Sequence, residues 1–219
     1  MNVPVRVGIA GLGRSGWDIH AHTLADMKDY FQVVAVCDPV QSRLAEAQAR
    51  FGCSTYENLE GLLENDAVEL VVVASPSHFH KQNTIQAFQA GKHVLVEKPM
   101  ALSVAEADEM IAAAETAGKM LTINQNSRYH PDLRLIRQVI QSGVLGQVIE
   151  IRMTNAAFGR RWDWQTSKSH GGGILNNNGA HLIDWLLLFF EDLQPEMFCH
   201  MQTTPLYAGD AESHVKLVL

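Results

Sequence analysis

The sequence predicts an α/β protein: a doubly wound parallel sheet, then an α+β domain with a largely antiparallel, open sheet. Three observations carry this prediction. Short, nearly continuous apolar runs alternate with helical patterns through the first half of the chain. A glycine-rich turn, Gly11-Leu12-Gly13-Arg14-Ser15-Gly16, follows the first run directly and opens a helix. After Asn124 the alternation gives way to a different rhythm.

The apolar runs Val5–Ala10, Phe31–Cys37, 70–74, His93–Glu97 and 120–124 read as strands, because Val and Leu without a polar alternate face suit strands covered on both sides. Between them, Gln41–Phe51, 79–90 (ended by Gly91) and Val104–Ala117 read as helices, and strand–helix alternation of this kind builds a parallel, Rossmann-like sheet. The second half is read as a helix at 132–142, a β-like run at 147–155, a polar loop, a helix at 179–190 and a final strand at 214–219. The boundary falls near residue 124, giving domains 1–124 and 125–219. The last strand stops without a turn, so the second domain is expected to be incomplete in this chain.

Composition bounds the function. With 47% hydrophobic and 19% charged residues the chain is an ordinary globular one, not a disordered or fibrous one. A formal charge of −7 argues against a general nucleic-acid surface, which needs clustered Lys and Arg. The three cysteines, Cys37, Cys53 and Cys199, are widely spaced with no CxxC, so neither a disulfide framework nor a metal site is expected. No basic leader and no apolar run of membrane-spanning length is found, and the expectation is a cytoplasmic protein without a membrane partner.

The glycine turn is a dinucleotide-binding pattern. Gly11 permits the tight turn, Gly13 lets the backbone approach a pyrophosphate, and Gly16 allows close helix packing. The helix start through Leu12, Arg14 and Ser15 offers N–H groups and a positive dipole end to phosphates. Asp38 ends the second strand, where a carboxylate accepts from the adenosine ribose and repels a 2′-phosphate, which favours NAD over NADP. Arg43 offsets part of that repulsion, so NADP stays open, and a plain turn aspartate before Pro39 is the alternative for Asp38. Ser75-Pro76-Ser77-His78-Phe79-His80 follows the third apolar run at the ligand-facing edge, making Ser75, Pro76 and His80 cofactor candidates, with packing histidines as the alternative. Glu97-Lys98-Pro99 ends the next strand on the same edge, where the lysine would hydrogen-bond the ribose and stabilise a developing alkoxide. Trp162 and Trp164, beside Arg160 and Arg161, suit a polyhydroxylated or acidic substrate, or stack on those arginines in an ordinary loop.

The stretches Gly11-Leu12-Gly13-Arg14-Ser15-Gly16, Ala90-Gly91-Lys92-His93-Val94-Leu95-Val96-Glu97-Lys98-Pro99, Asn126-Ser127-Arg128-Tyr129-His130-Pro131 and 171–184 (GGGILNNNGAHLID) together resemble the Gfo/Idh/MocA family of glucose-fructose oxidoreductases and inositol dehydrogenases. The resemblance covers nearly the whole chain. It implies that Lys98 lies near nicotinamide and substrate, that His181 is the catalytic histidine, that Asn126 and Glu97 lie by the cofactor, and that Arg128 lies by the substrate. It also implies oligomers formed through the open C-terminal sheet. Asn177 stands where the sugar and inositol dehydrogenases often carry aspartate. An asparagine four residues before His181 shares its face and positions substrate or ring, but supplies no anion to an imidazolium. The alternative for the Asn176-Asn177-Asn178 run is a helix cap.

These features predict an NAD-dependent oxidoreductase of a secondary hydroxyl or ketone on a sugar, cyclitol or sugar acid. His181 is the base, Lys98 holds the reacting oxygen, and Asn177 is a neutral positioning group. Two alternatives stand beside it: a redox-neutral sugar-modifying enzyme that oxidises and re-reduces its substrate, and a non-catalytic dinucleotide-binding regulator or scaffold.

Overall fold

The computed structural model describes residues 3–157, 159–189, 196–205 and 207–219. The chain divides into two compact units, Met1–Asn124 and Gln125–Leu219.

In the first unit, β1 (Val5–Ala10), β2 (Phe31–Cys37), β3 (Ser54–Tyr56), β4 (Leu70–Val73), β5 (His93–Glu97) and β6 (Leu121–Asn124) form one sheet in the order β3-β2-β1-β4-β5-β6. Every pairing is parallel. The strand order reverses between β1 and β4, which is where open sheets of this kind bind ligands. The apolar runs are continuous because the sheet has two covered faces. Val71 and Val73 of β4 enter one core cluster with Leu62, Phe88 and Met110, while Leu70 and Val72 enter the other with Ile9, Val36 and Leu44.

Helices α1 (His22–Asp26), α2 (Gln41–Phe51), α3 (Leu59–Leu63), α4 (His80–Gln89) and α5 (Val104–Ala117) connect the strands. A π-helical segment, Ser15–Ala21, runs from the glycine turn into α1. The start of α5 is fixed by Ser103, whose Oγ accepts from Glu106 N at 3.2 Å, and its end by Gly118 in the left-handed region at φ 60°. Helix α2, β5 and α5 lie where the sequence predicts them. The short β3 and α3 are additional, since three residues of strand and one turn of helix leave too little pattern to read. The Lys98–Pro99 peptide is cis.

The second unit holds α6 (Pro131–Gln141), α7 (Ala180–Leu187), β7 (Phe198–Gln202) and β8 (His214–Val218), with a π-helical segment, Leu175–Gly179, leading into α7. Strands β7 and β8 pair antiparallel. The β-like run at 147–155 is not a strand: these residues are mostly exposed and no ladder partner for them exists among the described residues. Alternating side chains favour an extended backbone, but only a neighbouring strand satisfies its N–H and C=O groups. The last residues of the helix expected at 179–190 include Phe190, which lies outside the described residues.

Helix packing against the glycine turn rests on one missing methyl. A Cβ on Gly16 would lie 1.8 Å from the Gly11 carbonyl oxygen, and neither backbone segment is a flexible side-chain tip. Gly16→Ala is therefore expected to cost on the order of 1–3 kcal/mol through overpacking, read as a lower denaturant midpoint. An unchanged midpoint would show that the helix does not approach the turn this closely.

Candidate active site

The three glycines of the first turn do different work. Gly11 has φ +94°, and a Cβ there would meet the Ala74 carbonyl at 2.9 Å, so the turn is pressed onto the end of β4. Gly13 is the opposite case. A Cβ on it would meet nothing within 4 Å, which leaves its face open to a ligand. A cavity of about 200 Å³ lies beside it, lined in part by Leu12, Gly13, Arg14, Trp17 and Arg43. The Leu12 side chain is buried and its N–H is already given to Asp38, so Leu12 offers its surroundings and not a donor.

Asp38 is 4% exposed and fully engaged. Its Oδ2 accepts from Leu12 N at 2.8 Å, its Oδ1 from Val40 N at 2.9 Å, and Arg43 Nη1 lies 3.2 and 3.3 Å from the two oxygens. Two amides and a doubly placed guanidinium take up the roughly four acceptor directions of a carboxylate. Arg43 is the exchangeable partner, because its side chain is 46% exposed whereas the amides belong to the backbone. The turn reading of Asp38 and the ribose reading thus coexist: the side chain fixes its own turn and holds a replaceable cation.

At the next two strand ends, the expected contacts are redistributed. Ser75 Oγ accepts from Asn83 Nδ2 at 2.9 Å, and Pro76 precedes the short turn Ser77–Phe79. His80 is 1% exposed, with Nδ1 2.8 Å from Pro99 O and Nε2 2.9 Å from Ser75 O. Both ring nitrogens are committed to backbone carbonyls, so a direct cofactor contact through them is not what this geometry offers. Glu97 is likewise turned inward at 5% exposure. Its Oε1 accepts from His20 Nε2 at 2.7 Å and Asn124 Nδ2 at 2.8 Å, and its Oε2 from Lys98 N at 3.2 Å. Burial opposes the Glu97 charge, but these hydrogen bonds from His20 and Asn124, with the charges of His20 and Lys98, outweigh it and hold the carboxyl below its usual range. Of the Glu97-Lys98-Pro99 motif, Lys98 alone carries a half-buried charged side chain at the strand end.

The second unit builds a separate arrangement around His181, on the first turn of α7. Gln125 Nε2 donates to Ala180 O at 3.0 Å, which fixes that amide so that Oε1 faces the ring, 2.9 Å from His181 Nδ1. Ser127 Oγ lies 3.0 Å from the same nitrogen. An amide oxygen only accepts, so Nδ1 carries a proton, and in the neutral ring the lone pair is on Nε2. Asp184, one turn along α7 from His181, is paired elsewhere. Its carboxylate pairs with Arg128, whose Nε lies 2.9 Å from Oδ2 and whose Nη2 reaches Oδ1, and that pairing raises the Arg128 pKa. Arg128 is correspondingly a structural partner of α7 and not an uncommitted fork for substrate. Asn126 starts the short turn Asn126–Tyr129 and is exposed.

The glycine run before α7 is packed. A Cβ on Gly172 would meet Gln165 O at 2.4 Å, and Gly173, at φ +111°, faces the Glu212 carboxylate. Glu212 Oε1 accepts from Leu175 N at 3.0 Å, so an acidic residue close to β8 anchors the start of the π-helical segment. Asn176, Asn177 and Asn178 lie inside that segment and not at a cap, because a side-chain cap needs an extended residue before the helix and the flanking residues here are right-handed helical. Asn177 N donates to Gly173 O at 3.0 Å, and Asn176 Nδ2 to Gly171 O at 3.2 Å. Trp162 is 75% exposed, while Trp164 is half-buried in the turn Trp164–Thr166 beside the Arg161–Asp163 pair. Among the described residues no cluster of three or more His, Cys, Asp or Glu could hold a metal, and no helix is long and apolar enough to cross a membrane.

Comparison with known proteins gives the family. Residues 5–125 match the profile described as oxidoreductase family, NAD-binding Rossmann fold, and residues 133–219 match the GFO/IDH/MocA C-terminal domain. The chain belongs to this NAD-binding oxidoreductase family. It is 36% identical over 191 residues to D-glucoside 3-dehydrogenase of Escherichia coli (strain K12), covering 83% of this chain and 52% of that protein. It is 31% identical over 189 residues to scyllo-inositol 2-dehydrogenase (NADP(+)) IolW of Bacillus subtilis (strain 168), covering 85% and 52%. The WlbA dehydrogenase from Bordetella pertussis, solved with NADH and UDP-GlcNAcA, superposes with a TM-score of 0.82 at 25% identity, covering 97% of this chain and 62% of that one. The chain spans about half the length of the curated relatives it matches.

The residues of the glycine turn fit the family's cofactor: crowded where the fold needs contact at Gly11 and Gly16, open at Gly13, and ending β2 in a carboxylate. Sequence reasoning missed Gln125, Ser127 and Glu212 as site-building residues. Gln125 and Ser127 border or belong to the family-like segment that begins at Asn126, which is the one signal that points to them. Glu212 has no local signal, since its partners are far away in the sequence.

Two measurements test the buried Glu97. Glu97→Ala leaves His20 and Asn124 facing an unfilled site and is expected to destabilise the fold by about 3–5 kcal/mol. Because the folded pKa lies below the unfolded one, the charge contributes its full stability above about pH 4.5 and loses it as pH falls through the lower folded value. The stability gap between the native chain and Glu97→Gln should therefore shrink as pH falls below about 4.5. A gap that widens on acidification would overturn the assignment.

Proposed function

We propose that the protein is an NAD-dependent oxidoreductase acting on a secondary hydroxyl, or the matching ketone, of a sugar, cyclitol or sugar acid. The observation that carries this reading is the fixed tautomer of His181. Gln125 Oε1 claims Nδ1–H, so the neutral ring carries its lone pair on Nε2 as a general base requires. Bound NAD supplies the hydride acceptor. His181 takes the hydroxyl proton, and Gln125 and Ser127 accept from the imidazolium that results. Lys98 stabilises the developing negative charge on the substrate oxygen. Asn177 positions substrate through its amide, and Trp162 and Trp164 offer aromatic faces to a polyol.

NAD is the preferred cofactor in this reading, because Asp38 offers acceptors to the ribose and repels a 2′-phosphate. Arg43, already on Asp38, moderates that repulsion, and the NADP(+)-named inositol dehydrogenase among the relatives supports a measurable NADP affinity. Residues 1–124 serve as the cofactor domain and 125–219 as the substrate domain. Copies associate through the β7–β8 sheet, where Phe198 is 60% and Met201 53% exposed.

His181→Ala should lower turnover about 10²- to 10⁴-fold, the usual weight of a general base, followed as reduced nicotinamide over a panel of sugars, inositols and sugar acids. NAD affinity by calorimetry should stay unchanged in the same variant. Equal turnover in both proteins would remove the base assignment, and native protein that binds NAD but transfers no hydride to any panel member would remove the function. Asp38→Ala should weaken NAD by at most about ten-fold, since the ribose bond replaces an existing one to Arg43 and nets less than a whole charge-assisted hydrogen bond, and NADP less. Tighter NADP than NAD binding by the native protein would reverse the preference.

A further inference from the structure

His80 sits in a chemically unusual position. It opens α4, is buried, and places each ring nitrogen within 2.9 Å of a backbone carbonyl, Pro99 O on one side and Ser75 O on the other. Carbonyl oxygens only accept. A neutral imidazole carries one N–H and can satisfy one of them, leaving its lone pair against the other oxygen, whereas an imidazolium donates to both. The two carbonyls belong to different ligand-edge loops: Ser75 follows β4, and Pro99 follows Lys98 at the end of β5.

The Lys98 backbone is held from its other side as well. Its N–H goes to the Glu97 carboxylate, which His20 and Asn124 fix in turn. Lys98 thus lies between two buried anchors, a carboxylate before it and an imidazole after it. We propose that His80 is a positioning residue for Lys98, and that the second proton on its ring decides whether the Ser75 loop and the Lys98–Pro99 turn are tied to each other.

The charged surroundings set the conditions for that proton. The Glu97 carboxylate and the two carbonyls favour it, while burial and the neighbouring His78 oppose it, and burial is the largest influence. The histidine therefore protonates below its ordinary range. As pH falls through that lowered value the ring gains its second N–H and both loops are held; above it the neutral ring holds one.

The inference rests on the reading of Lys98 as a site residue, but its test reads the loops and the ring themselves. With the full 219-residue chain labelled at histidine, two-bond proton–nitrogen NMR correlations should show His80 carrying one N–H at pH 8 and two at the acid end of the folded range. The His80 signal is identified by its loss in His80→Gln. Amide hydrogen exchange run at the acid end of the folded range, where the ring holds both carbonyls, and followed by mass spectrometry should show the segments around Ser75 and 98–101 opening about ten-fold faster or more in His80→Phe, the weight of one charge-assisted hydrogen bond. Strands β1 and β2 should keep native protection. His80→Gln, with one amide donor group, should restore protection to one of the two segments. A single neutral tautomer down to acid unfolding overturns the proton-dependent tie. Unchanged exchange in both segments of a folded His80 variant, or an equal acceleration across the whole sheet, overturns the positioning role. An inactive protein that gives the expected exchange and NMR results counts against the function proposed for it and leaves this inference standing.

Discussion

A buried carboxylate with a specific set of donors is the constraint around which the ligand edge of the first unit is organised. Glu97 ends β5 almost out of reach of solvent, and an unpaired charge there would be too costly to keep. Its donors come from three places: His20 from the π-helical segment behind the glycine turn, Asn124 from the end of β6, and the peptide N–H of Lys98. Satisfying one charge therefore fixes the relative positions of the helix behind the glycine turn, the last strand, and the turn that presents a lysine. Apolar packing brings these elements together, but it is tolerant of small shifts, whereas three hydrogen bonds to one carboxylate are not.

The second unit reaches a similar end by neutral means. His181 is oriented by an amide and a hydroxyl, and the amide is fixed by a main-chain carbonyl, so the proton is placed without a buried anion. Arg128 and Asp184 form an ion pair in this unit, and it holds the turn Asn126–Tyr129 to α7. The glycine run and Glu212 then anchor the opposite end of the segment on which Asn177 lies.

Much of the first unit is legible in the sequence because its physics is local and redundant. A strand covered on both faces must be apolar throughout, and a turn pressed onto Ala74 just after β4, with a helix so near that a Cβ would fall 1.8 Å from a carbonyl oxygen, must be glycine at Gly11 and Gly16. The direction in which polar side chains turn is less legible. Glu97 and His80 occur where ligand contacts are expected, yet both point inward, and nothing in a linear motif separates a residue that touches a ligand from one that holds its neighbour. The run at 147–155 shows a different limit: a strand needs a partner, and a pattern does not contain one. The asparagine run shows a third, since capping depends on the backbone angles of the preceding residue and not on side-chain type alone. Gln125 escaped notice because a neutral amide has no chemistry of its own, although its two fixed bonds decide where the His181 proton sits.

The saturation of Asp38 has a thermodynamic consequence for the adenosine end of any dinucleotide. Its acceptor directions are taken by two amides and by Arg43, so a ligand hydroxyl arrives there by substitution and not by filling an empty place. The net free energy is then the difference between two sets of hydrogen bonds to the same carboxylate, which is smaller than either. The displaced guanidinium regains water or finds the ligand, and added salt, by weakening the ion pair it leaves, makes the exchange easier rather than harder.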